Sequence, residues 1–428
     1  MERVSRLVAH HYGRLGGELS VGGIPISQIV ADHGTPLYVY SAAVLDRAWS
    51  LLRQTFPARF TISYSVKANP NPAILGWFVA KGCGLEVASA GELALARAAE
   101  CPPDEIVFAG PGKTEAELEE ALAKGIGEIH AESRLEVRRI AAIARHLGLR
   151  APVALRVNPA AEVQGGAIRM GGKPTAFGID EEALDETVDA VEREAALDLR
   201  GLHLFTGTQI LDHDVLLRQY AKGVELARRV ASRRQCPLAT LDFGGGLGVP
   251  YFPGERPLDT SALHEGLVAL AAKIERDPLV APTRLLIEPG RFLVAEAGIY
   301  VTRINDVKVS RGKTFVILDG GMNHHLAASG NLGQVIRRPF PMAVVNKLDR
   351  EAREVVEVVG PLCTPLDTLG RDVKLPNPEV GDLLGVFQSG AYGLTASPVN
   401  FLSHPTPAEV LIEGGAVRLI RARGAAAW

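Results

Sequence analysis

The chain has 428 residues, 47% apolar and 22% charged, and carries a net charge of −3 at pH 7. It is too long for one ordinary core, so two domains of a globular protein are expected. The near-neutral balance argues against nucleic acid or an anionic membrane surface as partner, and no apolar run is long enough to span a bilayer.

The start, Met1-Glu-Arg-Val-Ser-Arg-Leu7, lacks the apolar core of a signal peptide. The first 35 residues hold short, Gly-rich, β-like pieces and are expected to join a β-rich domain elsewhere in the chain. From residue 36, short β-branched runs alternate with Ala-, Leu-, Glu- and Arg-rich stretches at helical spacing. The spacing predicts strands at Phe60–Val66, Gly84–Val87, Glu105–Ala109, Glu128–Ala131, Val153–Val157, Gly201–Phe205, Leu241–Phe243 and Leu285–Glu288. Thr114 with Glu117 fits a capping box at a helix start. Eight such units predict an α/β fold whose 36–290 portion is a (β/α)8 barrel. After Arg291 the helical stretches largely stop. Ile299–Ser310, Lys313–Gly320, Val355–Val359, Asp382–Phe387 and Glu409–Ile412 read as strands, so 1–35 and 291–428 are assigned to one β-rich domain. Cys83, Cys101, Cys236 and Cys363 are scattered with no C-x-x-C pair, which favours a reducing cytoplasm over a disulfide framework or a zinc site.

In such barrels the chemistry sits at the C-terminal ends of the strands, and the unusual residues fall there. Lys67 follows the first strand. A strand-end lysine that snorkels to water is the commoner case, but a buried lysine can also serve as a Schiff-base nucleophile towards an aldehyde. Gly244-Gly-Gly246 after strand seven is either a flexible turn or a backbone cradle for an anion. Glu288 and Arg291 after strand eight could pair with each other, or could meet a pyridinium proton and a phosphate or carboxylate. His203 and Phe205 share one face of strand six, where either could pack flat on a planar ring. A lysine, an acid and a phosphate cradle on one rim are the marks of a pyridoxal-phosphate site. His324 and His325 lack a third ligand at suitable spacing, so no metal is expected and a pocket or interface role is.

Several motifs in order resemble the fold-type III pyridoxal-phosphate decarboxylases, the diaminopimelate and ornithine decarboxylase family. They are Tyr64-Ser-Val-Lys-Ala-Asn69, Glu86-Val-Ala-Ser-Ala-Gly-Glu92, Gly110-Pro-Gly-Lys113, Leu202-His-Leu-Phe-Thr-Gly-Thr-Gln209, Gly244-Gly-Gly246, Glu288-Pro-Gly-Arg291, Cys363 and Ser389-Gly-Ala-Tyr392. The resemblance implies a barrel followed by a β-sandwich, the alanine-racemase-like arrangement, in a homodimer with shared active sites. It implies pyridoxal 5'-phosphate as cofactor, joined to Lys67, with Glu288 on the pyridine nitrogen. Gly245 and Gly246, with Tyr392, would hold the phosphate, Gly290 would contact the cofactor, and Arg291 would meet phosphate or a substrate carboxylate. Cys363 would return the proton in the neighbouring subunit's site, and Arg338, Thr364 and Asp367 would face the substrate.

Two departures bear on the reaction. The family's ring-stacking histidine is replaced by Phe205, with His203 beside it. The acid that follows the cysteine, which meets the substrate's distal amine, is replaced by Thr364, while the later acid is kept as Asp367. An unpaired buried ammonium is costly, so the expected substrate lacks a free distal amine, such as glutamate or a carrier-tethered amino acid. Stretches 167–178, 320–325 and 397–407 resemble the decarboxylase of glutamate tethered to an acyl carrier protein, and 327–338 resembles decarboxylases encoded with exosortase systems. A true diaminopimelate decarboxylase, a racemase on the same fold and a catalytically dead regulator are the rival readings.

Overall fold

The computed structural model describes residues 2–160, 168–169, 174–205, 207–332, 334 and 337–424. Parts of two stretches noted above, 167–178 and 327–338, together with Thr206, lie outside the described residues. The chain forms two compact units, Ser50–Val249 with Arg256–Gly290, and Met1–Trp49 with Pro250–Glu255 and Arg291–Trp428.

Among the described residues, eight parallel strands close the first unit into a barrel. They are β1 Phe60–Ser65, β2 Gly84–Val87, β3 Ile106–Phe108, β4 Glu128–Ala131, β5 Ala151–Asn158, β6 Leu197–Leu204, β7 Thr240–Asp242 and β8 Arg284–Ile287. Each pairs with its neighbours in chain order, and β8 returns to β1 through Leu285–Phe60 and Ile287–Ile62. The strands read as apolar runs because one face fills the barrel and the other meets helices: every residue of β2, β3, β4 and β7 is buried. One spacing, Ser/Thr-x-x-Glu, begins three successive helices, Ala90–Ala98, Glu115–Ala123 and Arg134–Leu147. Ser89, Thr114 and Ser133 accept the backbone N–H of Glu92, Glu117 and Glu136 at 3.2, 3.3 and 3.1 Å. The expected capping box is complete, since the Glu117 carboxylate accepts the Thr114 N–H at 2.9 Å. Such caps contribute about 1 kcal/mol each, and they place the preceding strand-to-helix turns at the rim.

The second unit is β-rich. Its main sheet includes β9 Gly298–Ser310, β10 Lys313–Leu318, β11 Met342–Val344, β12 Glu354–Val359, β13 Thr368–Leu375, β14 Leu383–Val386, β15 Ala408–Glu413 and β16 Ala416–Arg421. The strand Leu37–Ser41 also enters this sheet, antiparallel to β9 and parallel to β15. It falls within the stretch that the sequence reading gave to the barrel from residue 36. Its partners lie more than 250 residues away, which no local pattern reveals, and the barrel unit begins at Ser50. The first 35 residues build a separate three-stranded sheet and two helices, Glu2–His11 and Ile26–His33. These close over Leu37, Val39, Ile299, Val301 and Val410 in one apolar cluster.

Candidate active site

β1 runs into a short 3-10 turn, Val66–Ala68, which lifts Lys67 onto the rim. The turn is clamped from β8. The Ser65 N–H donates to Pro289 O at 3.3 Å, and a Cβ on Gly290 would come within 2.8 Å of Ala68 Cβ. Gly290 is therefore a packing glycine that seats the lysine turn. Lys67 Nζ donates to both oxygens of Glu86, at 2.7 and 2.6 Å, and the Ser65 hydroxyl donates to the same carboxylate at 2.5 Å. Glu86 on β2 was not among the residues singled out from the sequence. Its burial among the apolar residues of β2 was the available signal.

The glycine loop after β7 lies against the ends of β6 and β8. Gly244 and Gly246 have φ of +65° and +100°, and a Cβ on Gly245 would stand 2.4 Å from Glu288 O. Only glycines fit this path, which leaves a side-chain-free floor beside Glu288. Glu288 is buried, and its Oε1 has no hydrogen-bond partner among the described residues. Burial drives its carboxyl upward, but His203, His130 and Lys67 outweigh that and hold it below the usual carboxylate range. Glu288 is thus an anion directed to receive a donor.

Two ring residues were expected on β6 and its end, and they have different surroundings. His203 is buried, with Nδ1 3.0 Å from His130 Nδ1 and Nε2 3.4 Å from Glu288 Oε2. Burial depresses its pKa to about 4, so it is neutral at pH 7. Both of its nitrogens face side chains, His130 on one side and Glu288 on the other. Phe205 lies against Gly244 and 5.8 Å from the Arg156 guanidinium. Arg156, on β5, also faces Phe177 at 5.0 Å and is anchored by Glu132 at 2.7 Å. Glu132 further accepts the N–H groups of Gly110 and Gly178, at 2.8 and 3.0 Å, tying three strand ends together.

In the second unit, Arg291 stacks over Tyr392 at 4.6 Å and Nη1 donates to the Tyr251 hydroxyl at 3.2 Å, while its buried Nε has no hydrogen-bond partner among the described residues. Tyr392 is held by a tight turn in which a Cβ on Gly390 would overlap Val294 O. Arg338 is exposed, lies 3.9 Å over Phe252 and donates to Glu255 at 3.2 Å. Cys363 is exposed on the loop 360–367, with Thr364 at its shoulder.

Asp367 has backbone partners. It is buried, and its two oxygens accept the N–H groups of Met322 at 2.6 Å and Leu362 at 2.9 Å. Gly321 and Gly360 leave room for that carboxylate, since a Cβ on either would come within 2.2 Å of it. Through these contacts Asp367 anchors the loop that displays Cys363. His324 and His325 are also buried. His324 Nδ1 lies 3.2 Å from the Tyr300 hydroxyl, and the His325 ring packs between Tyr38, Tyr300 and Phe340.

Residues 42–295 match the family model described as "Pyridoxal-dependent decarboxylase, pyridoxal binding domain". Over 404 residues the chain is 42% identical to the L-glutamyl-[BtrI acyl-carrier protein] decarboxylase of Niallia circulans, with 94% of each chain covered. It is 33% identical over 408 residues to the diaminopimelate decarboxylase of Aquifex aeolicus, with 95% of this chain and 93% of that one covered. The crystal structure of diaminopimelate decarboxylase from M. jannaschii with L-lysine matches with a TM-score of 0.89 at 28% identity, over 97% of this chain and 95% of that one.

Proposed function

The chain belongs to the pyridoxal-dependent decarboxylases, and on that premise we propose that it releases CO2 from a glutamyl group carried on an acyl carrier protein. One observation supports the substrate half of this reading. The Cys363 loop offers no carboxylate to a distal ammonium, because Thr364 is neutral and Asp367 spends both oxygens on backbone N–H groups. A diamino acid would bury its second ammonium unpaired there, at a cost of several kcal/mol. A glutamyl group has no such ammonium. The 42% identity to a decarboxylase of a carrier-linked glutamyl group agrees with this choice.

The barrel residues fit pyridoxal phosphate. The orphaned Glu288 oxygen suits a pyridinium N–H, and the glycine floor at Gly245 and Gly246 suits a phosphate. Lys67 would hold the aldehyde carbon, and Phe205 would lie on the ring. Tyr392 and Arg291 would serve the phosphate or a carboxylate. Bound there, the cofactor supplies an electron sink for the charge left at the α-carbon when CO2 departs.

The chain's own groups do the rest. Glu288, ionised in its buried setting, keeps a proton on the ring nitrogen and so keeps the sink open. Glu86 supplies the counter-charge to the Lys67 ammonium whenever that nitrogen is not covalently engaged. Cys363 returns a proton to the α-carbon as a general acid, in the site of the second subunit of a homodimer.

The test is CO2 release from glutamyl-loaded carrier protein, free glutamate, diaminopimelate, ornithine and lysine, with pyridoxal phosphate supplied. Turnover of the carrier-linked glutamyl group is expected to dominate. Turnover of diaminopimelate at an equal or higher kcat/KM would replace this reading with a diaminopimelate decarboxylase.

A further inference from the structure

Beneath the rim, four ionisable side chains from four different strands or strand ends of the barrel meet in its interior. His130 on β4, His203 on β6, Asp242 on β7 and Glu288 after β8 each offer an atom within 4.8 Å of the others, and all are buried. The His130 and His203 rings are 4.5 Å apart, with their Nδ1 atoms at 3.0 Å. His203 Nε2 stands 3.4 Å from Glu288 Oε2, and His130 Nε2 stands 3.9 Å from Asp242 Oδ2. Asp242 lies within 4.8 Å of Glu288, and its Oδ1 already accepts the Gly244 N–H at 2.7 Å. Among the described residues, Asp242 Oδ2, Glu288 Oε1 and the Nε2 atoms of both histidines have no hydrogen-bond partner.

Proton counting restricts this cluster. Facing imidazole nitrogens at 3.0 Å need one donor and one acceptor, so the pair cannot be doubly protonated there. Two adjacent buried carboxyl groups cannot both ionise, and one proton between them satisfies both orphaned oxygens. A carboxylate has about four lone-pair sites, so Glu288 can take Asp242, His203 and a ring N–H together.

We propose that Asp242, His203 and His130 are positioning residues that confine one negative charge to Glu288, with the Asp242 carboxyl donating to it from one side and the histidine pair from the other. This rests on the reading of Glu288 as the partner of the ring nitrogen. Burial, reinforced by Glu288, pushes the Asp242 carboxyl well above its usual range. Other charges face the cluster. Glu128 Oε2 lies 3.7 Å from His130 Nε2, Lys67 acts on Glu288, and Arg156 acts on His203. The two cations favour the anion at Glu288 and oppose a second positive charge on the histidines.

Asparagine at 242 keeps the oxygen that Gly244 uses and puts an N–H where the carboxyl proton stands. Asp242→Asn should bind pyridoxal phosphate within about threefold of wild type and keep its absorption maximum, whereas Asp242→Ala should weaken binding by about tenfold or more and shift the band. Equal damage in both variants, or none in either, overturns the proposal. Histidine side-chain 15N NMR on the cofactor-free wild-type protein gives a second readout that needs no variant to fold. His203 should stay neutral from pH 8 to pH 5, and protonation above pH 6 overturns the arrangement. One divalent ion per chain in the purified holoenzyme would also overturn it, because the four side chains would then be ligands. Wild-type protein that binds no pyridoxal phosphate would defeat the reading of Glu288, while the NMR result would still report the proton positions.

Discussion

Both carboxylate oxygens of Glu86 receive the ammonium of Lys67, at 2.7 and 2.6 Å, so the rim lysine is held by a buried anion that comes from the neighbouring strand. Lys67 is 43% exposed at the side chain and Glu86 only 1%, which makes the two deletions unequal. Lys67→Ala leaves a buried carboxylate without its cation and is expected to cost about 1–3 kcal/mol, less than for a fully buried pair. The double variant Lys67→Ala/Glu86→Gln should recover part of that loss. Urea unfolding of the cofactor-free proteins in a double-mutant cycle reads the coupling, and strictly additive losses would rule it out. Lys67→Ala should also abolish both the absorption band of lysine-bound cofactor and turnover.

Glu288→Gln replaces the anion proposed to meet the ring nitrogen with a neutral group of similar size. The expected result is a fall in kcat of about 10²–10³-fold, the scale of losing one preorganised electrostatic contact. The dissociation constant for pyridoxal phosphate should move far less. Steady-state kinetics with a separate cofactor titration checks this, and an unchanged kcat would remove Glu288 from its assigned role.

Asp367→Ala leaves the Met322 and Leu362 N–H groups buried without an acceptor, at about 1–3 kcal/mol each. Stability should fall together with kcat, since the loop displaying Cys363 loses its anchor. Asp367→Asn, which retains one oxygen, should fall between the two. Loss of substrate affinity with stability unchanged would instead return Asp367 to the substrate.

Stability should depend on pH through His325, whose pKa burial depresses to about 3. In the unfolded chain the imidazole takes up a proton below about pH 6.5, whereas the folded protein does not until about pH 3. The unfolded state therefore binds more protons across that window, and this contribution to stability falls as pH falls. His203 and His324, both lowered to about 4, act in the same direction. Asp242, raised by burial, acts in the opposite direction. The cleanest reading is a comparison: between pH 6.5 and 5, His325→Gln should lose roughly 2 kcal/mol less stability than wild type. Parallel urea-midpoint curves for the two proteins would exclude this role.

The barrel was legible because each of its strands is buried on both faces, so the chain writes them as short apolar runs such as Phe60–Ser65 and Gly84–Val87 between amphipathic helices. The rim followed from topology, since residues after the strands must cluster at one end. Leu37–Ser41 was assigned to the wrong unit because its partners, Gly298–Val301 and Ala408–Ile412, are far away in the chain. The strand Thr368–Leu375 was missed for a related reason. Charged residues interrupt its apolar pattern, and pairing with Glu354–Val359 is what makes it a strand.

The barrel, the rim positions of Lys67, Gly245, Gly246 and Glu288, and the presence of Phe205 and Thr364 at two motif positions can all be read from the chain before it folds. These follow from periodicity and from residue identity at known places in a strand-turn-helix frame. Only the tertiary structure decided which polar groups are spent on one another. It gave Glu86 to Lys67, turned Asp367 onto backbone N–H groups, and gathered His130, His203 and Asp242 under Glu288. Such pairings join residues from different strands, and their strength depends on burial and on the direction of each donor. Neither is written in local spacing, because both arise only when the barrel closes and excludes water.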